Sequence, residues 1–103
     1  MRKHTQIYIK ALGYHVTDFM PSELTGLKGV DLHHIVNREN RIENLMLLTR
    51  EEHQRLGEIK SKMVYLLEAH LKFLEDNGVK FSYEWFDEQI NKYSIYDTDN
   101  KRR

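Results

Sequence analysis

The sequence contains no cysteine, so disulfides and thiolate metal sites are excluded at the outset. It lacks any apolar run of the ~18 residues that a membrane-crossing helix requires. The opening MRKHTQIYIK is charged, but no apolar stretch follows it, and a secretory signal is therefore not expected. There is no internal repeat and no low-complexity segment. Net charge is missing as well, with 16 basic and 16 acidic residues among 103. By segment the balance is +2 over residues 1–30, zero over 31–62 and −2 over 63–103. A basic field over the whole molecule is thereby excluded, and any nucleic-acid footprint must come from local clustering. Length and composition are those of one cytoplasmic domain with a modest core and no membrane partner.

What the sequence does have is concentrated between Val30 and Gly57. His33 and His34 follow a β-prone run, Asn44 comes ten residues after His34, and His53 nine residues after that. Val30-Asp31-Leu32 is expected to enter as a strand, with Asp31 and His33 sharing a face. Leu45-Met46-Leu47-Leu48 is expected to return as a second strand. Thr49-Arg50-Glu51-Glu52 reads as a capping box, so a helix is predicted to start at about residue 50 with His53 in its first turn. The positive end of that helix suits a phosphate.

The flanks carry helical signals. Thr5 is expected to cap a short helix over Gln6–Leu12 that ends at Gly13, although Ile7-Tyr8-Ile9 also suits a strand. His4 and His15 have no ligand partner at useful spacing and are expected to be ordinary residues. Leu56, Ile59, Met63, Leu66, Leu67, Leu71 and Leu74 keep helical spacing to about Asp76, and Asn77-Gly78 then stops the helix. Ser82 is expected to cap a last helix, with Phe81 and Phe86 as its hydrophobic staple and Phe86, Ile90 and Tyr93 on its inner face. Residues 97–103 read as a polar, fraying tail.

The order His33-His34, Asn44, His53, with IENLMLLT before the last histidine, resembles the HNH family of nucleases. The resemblance implies an α+β fold with a ββα-metal core over residues 30–57. A short N-terminal segment would precede that core and a helical extension over 58–96 would follow, all in a single domain 1–96. It implies a metal-dependent endonuclease or nickase acting on DNA with little sequence specificity. His34 would be the general base, and His33 and His53 the metal ligands. Asn44 would either brace the loop that carries the base or join Asp31 as a further ligand. One divalent ion is implied, with Mg²⁺ or Mn²⁺ ahead of Zn²⁺ or Ni²⁺. Read without the family, the two histidines are a strand pair with one ring inward and one outward.

Arg38, Arg41, Arg50 and Arg55 surround the motif and are the candidate DNA contacts, or else they merely solvate a loop and a helix. The resemblance also implies a bacterial or phage-infected host, phage packaging proteins as partners, and a monomer as the favoured state. The alternative function is a catalytically weakened HNH-fold module that binds DNA or takes part in packaging.

Two departures from the family pattern stand out. Zinc-ribbon members carry two cysteine pairs, and Ser22 and Thr25, then Thr49 and Glu52, stand at those positions here. Hydroxyls are poor zinc ligands beside thiolates, so no structural zinc is expected. Histidine-rich members also place a third ligand four residues after the last histidine, where this chain has Gly57. An open coordination position is expected there, which Gly57→His would fill. On an unbroken helix His70 would lie roughly 25 Å from His53, and it is expected to be structural, on a half-buried stripe.

Overall fold

The protein's structure, a computed structural model, describes residues 1–96; the predicted fraying tail, 97–103, lies outside the described residues. It is an α+β fold with four α-helices and a two-stranded antiparallel sheet. Helix α1 spans Lys3–Leu12. Strands β1 (Asp31–His34) and β2 (Leu45–Leu48) pair with Asp31 opposite Leu48 and His34 opposite Leu45. The short helix α2 (Arg50–Glu52) runs on into a π turn, His53–Gly57. Helices α3 (Met63–Asp76) and α4 (Tyr83–Tyr93) complete the described fold.

The four consecutive apolar residues of β2 are explained by burial on both sides. Leu45 and Leu47 pack with Tyr8 of α1 on one face, while Met46 and Leu48 join Leu66, Leu67, Leu74 and Phe86 on the other. Opposed residues of a ladder share a face. His33, opposite Met46, therefore points to the α2–α3 side, and His34, opposite Leu45, points to the α1 side.

Local chemistry set several boundaries as expected. The Thr49 hydroxyl accepts from the Glu52 N–H at 3.1 Å, and the Thr49 N–H donates to the Glu52 carboxylate at 2.9 Å. Ser82 caps α4 by accepting from the Trp85 N–H at 3.1 Å, and the Phe81 and Phe86 rings meet edge to face. Gly13 and Gly78 end α1 and α3 in the left-handed region, at φ 74° and 67°.

Two expectations are corrected. Helix α1 begins at Lys3 with no side-chain cap on Arg2, so Thr5 lies inside the helix instead of capping it. The helix that starts at Arg50 is not continuous to Asp76. It widens into the π turn at His53–Gly57, breaks at Ile59 (φ −95°, ψ 113°), and resumes through a 3₁₀ turn, Lys60–Lys62. Glycine is among the poorest helix formers, and the break turns α3 back under the sheet. Ile59, expected on the buried stripe, is instead exposed.

Ser22, Thr25, Thr49 and Glu52, the positions compared above with ribbon cysteines, lie together. The Ser22 and Thr25 hydroxyls donate to the two oxygens of the Glu52 carboxylate, at 2.5 and 2.6 Å. With the capping box, this clip ties the 22–27 turn to the start of α2. Burial alone would raise the Glu52 pKa, but the Ser22 and Thr25 hydroxyls and the Thr49 contacts outweigh it and hold the carboxyl below its ordinary value.

His70 is fully buried, not half-buried, and its side chain meets that of Glu23 at 2.5 Å. Despite the break at Gly57 it turns away from the histidine site and serves the core. No described helix is long and apolar enough to cross a membrane.

Candidate functional site

The end of β1 carries the site. Asp31 and His33 alternate onto the side that faces the π turn, where the His33 and His53 ring centroids lie 4.7 Å apart. Asp31 Oδ2 takes His53 Nδ1 at 3.1 Å and Arg50 Nε at 2.9 Å. The Arg50 guanidinium, then His53, keep the Asp31 carboxyl below its ordinary pKa against the opposing effect of burial. The carboxylate thus fixes the ring orientation of His53 and leaves its Nε2 toward the cleft, the usual arrangement behind a ligating histidine. The Asp31 carboxylate is engaged by both partners and acts on His53 as an orienting group.

His33 is 5% exposed. Its Nε2 is buried and has no hydrogen-bond partner among the described residues, an arrangement that native structures rarely leave unexplained. Burial, and then the charge of His53, push its pKa down to about 4. The ring is therefore neutral at neutral pH and keeps a lone pair.

His34 faces the other way, as alternation requires. Its Nε2 meets Asn40 Oδ1 at 2.9 Å. An amide oxygen only accepts, so this contact places the ring proton on Nε2 and leaves Nδ1 free to take one. Asn40 was not picked out from the sequence; the one available signal was a polar residue six positions after the histidine.

Asn44 is wholly buried and braces the loop that presents Asn40. Its Oδ1 accepts from the Val36 N–H at 2.9 Å, and its Nδ2 donates to the carbonyls of Asn37 and Glu39 at 2.8 and 3.0 Å. Of the two roles left open, the loop brace is the one the geometry supports, and Asn44 does not reach the cleft as a ligand.

His33, His34, His53, Arg38 and Lys60 line one cleft of about 510 Å³. Arg50 lines a neighbouring cleft. Arg41 is committed elsewhere, with its Nε 2.9 Å from Glu43 and its guanidinium over the Trp85 ring. Arg55 pairs with Glu51 on the surface at 3.4 Å. The four arginines therefore do not form one patch.

Gly57 does face His53 across the turn, but not as an open coordination position. A Cβ there would sit 2.6 Å from His53 Cδ2 and 3.3 Å from His33 Cε1. Glycine lets the turn close against both rings, and the expectation that Gly57→His adds a ligand is corrected on that ground. Gly57→Ala should instead displace the His53 ring and, where the two imidazoles hold a cation such as Mn²⁺, lower its affinity at least about tenfold, the scale of loss when a ligand's support is disturbed. Calorimetry would check this, and an affinity equal to the parent's would contradict the packing described.

Among the described residues no group of three or more His, Cys, Asp or Glu side chains gathers to hold a metal. The donors on offer are two imidazoles, one of them an orphaned buried nitrogen. They fit a cation bound largely by water, not a closed tetrahedral site. No family model matches the chain, and neither a curated protein nor a solved structure matches it.

Proposed function

We propose that the chain is a metal-dependent endonuclease of the HNH type that hydrolyses DNA phosphodiester bonds through a ββα-metal site. The observation that carries this reading is the unpartnered Nε2 of His33 beside the Asp31-anchored ring of His53, with His34 around the end of the same strand. His33 and His53 would hold one divalent cation. Such a cation neutralises charge on the phosphate and the leaving oxygen.

His34 takes the proton of the attacking water on Nδ1, while Asn40 fixes its tautomer and Asn44 fixes Asn40's loop. Arg38 and Lys60 meet the phosphate backbone from the rim of the cleft. Because Asp31 is engaged by Arg50 and His53, the ligands would be two imidazoles and waters, which favour Ni²⁺ or Zn²⁺ by affinity and, of the Mg²⁺ and Mn²⁺ expected from the sequence, Mn²⁺. The Ser22–Thr25–Glu52 clip takes the place of a structural zinc.

A weakened module that binds DNA without cutting it is the second reading, favoured by the sparse ligand set. A plasmid-nicking assay across divalent metals separates the two. Nicking should appear with Mn²⁺ or Ni²⁺ and stop with EDTA. The melting temperature should fall only by the small amount that mass action on one weak site allows. His53→Ala should raise the Mn²⁺ concentration for half-maximal nicking by at least about tenfold. DNA binding without nicking in any metal would leave the second reading standing.

A further inference from the structure

A second cleft, of about 430 Å³, lies between α1 and the outer face of β1. Its volume falls in the range of small-ligand pockets, about 300–1,000 Å³, large enough for one nucleotide but not for a run of them. Arg2, His4, Thr5 and Arg50 stand around it. Ile9, Met20, Leu32 and Leu47 supply its apolar lining. Asp31 is the one carboxylate among the lining residues, and Arg50 and His53 already engage it. The terminal nitrogens of Arg50 make no hydrogen bond to the described residues, since only its Nε is used on Asp31.

The candidate base His34 lines the other cleft, and His4, which lines this one, lies beside it. Strand alternation turns His34 to the α1 side, where its ring centroid lies 5.2 Å from that of His4. His4 was set aside on sequence spacing, and the fold brings it next to the group assigned to proton transfer.

We propose that this cleft binds one nucleotide of the strand being cut, with Arg2, His4 and the Arg50 guanidinium on the phosphate next to the scissile one and the base or sugar on Ile9, Met20 and Leu32. The proposal rests on the nuclease reading for its placement. Cationic groups at the rim over an apolar lining match the two halves of a nucleotide. His4 is half-buried, and burial, followed by the charges of His34 and Arg2, lowers its pKa.

The test uses thymidine 3′,5′-bisphosphate with the full chain in the absence of metal, followed by NMR of the histidine Cε1–H and methionine methyl signals. Saturable shifts of His4 and Met20 are expected, with His70 and Met46 unmoved. Shifts absent at millimolar ligand, or confined to His33 and Met63, which line only the other cleft, would overturn the assignment. In plasmid nicking, the Arg2→Ala/His4→Gln double variant should raise KM about tenfold or more, a loss concentrated in KM rather than kcat. Lys10→Ala, which removes a charge at the far end of α1, should leave KM unchanged. A double variant with the parent's KM would also overturn the assignment. If the parent nicks no DNA with any metal, the nuclease reading fails, and the NMR titration decides the cleft by itself.

Discussion

Under the proposed nuclease mechanism, His34→Ala is expected to lower nicking by roughly 10²–10⁴, the usual contribution of a positioned general base, and to leave Mn²⁺ binding at the parental level. The two readouts separate because β1 sends its neighbouring histidines to opposite faces. His33 shares its face with His53 and Asp31, whereas His34 meets Asn40 and His4. Deleting the His34 ring leaves the Asp31–His53 contact and the buried Nε2 of His33 in place. Asn40→Ala should lose part of the rate without the whole, because the imidazole stays but its tautomer is no longer fixed. A His34→Ala protein that nicks at the parent's rate would remove His34 from the chemistry and take the proposed mechanism with it. Loss of metal binding in the same variant would instead move His34 into the ligand set.

The parts of the fold that the sequence showed plainly are those set by neighbours within a few residues. The capping box at Thr49–Glu52, the Ser82 cap and the stop at Asn77-Gly78 each depend on contacts no more than five residues apart. The LMLL run showed β2 as an apolar strand, though not that both its faces are buried or that α1 covers one of them. The break after Gly57 was hidden because Leu56, Ile59 and Met63 keep a helical period across it. A π turn and a three-residue connection shift the phase too little for periodicity to register. Close approach was the missing information: Gly57 is where two imidazoles press against the backbone, and the family resemblance reads the same glycine as a vacancy.

Contacts between distant parts of the chain leave no local trace. The His4–His34 pair spans 30 residues, as does the Ser22–Glu52 hydrogen bond. The HNH resemblance singled out Ser22 and Glu52 separately, each within its own pair, and predicted no contact between them. Nothing marked the His4–His34 pair. The buried network around Glu23 is the extreme case, since its partners Tyr8, Leu47 and His70 come from three separate elements.

That network should give the largest stability effect in the molecule. The His70 and Glu23 side chains are both fully buried, with Nδ1 2.5 Å from Oε1. On the other side of the ring, Nε2 lies 2.7 Å from the Ile42 carbonyl, which can only accept, so that nitrogen carries a proton. A contact this short between Nδ1 and a carboxylate oxygen needs a proton between the two atoms. The Tyr8 hydroxyl donates to the second carboxylate oxygen at 2.7 Å, and the Leu47 N–H lies 3.3 Å from the same atom. Burial, and then the Glu23 charge, raise the Tyr8 pKa far above its ordinary value, so the phenol stays a donor.

His70→Leu would strand this carboxylate in the core. Breaking a buried pair from one side costs about 3–5 kcal/mol, a large share of the roughly 5–15 kcal/mol that holds a domain together. The midpoint of urea unfolding should drop accordingly. The double variant Glu23→Leu/His70→Leu should recover much of the loss, because no unpaired charge is left behind. In whatever fraction of the His70→Leu protein remains folded, Mn²⁺ affinity should be unchanged, since the network contacts neither His33 nor His53. A His70→Leu protein within about 1 kcal/mol of the parent would show that Glu23 finds water or another partner when the imidazole is gone. The tie between α1, β2 and α3 would then rest on apolar packing alone.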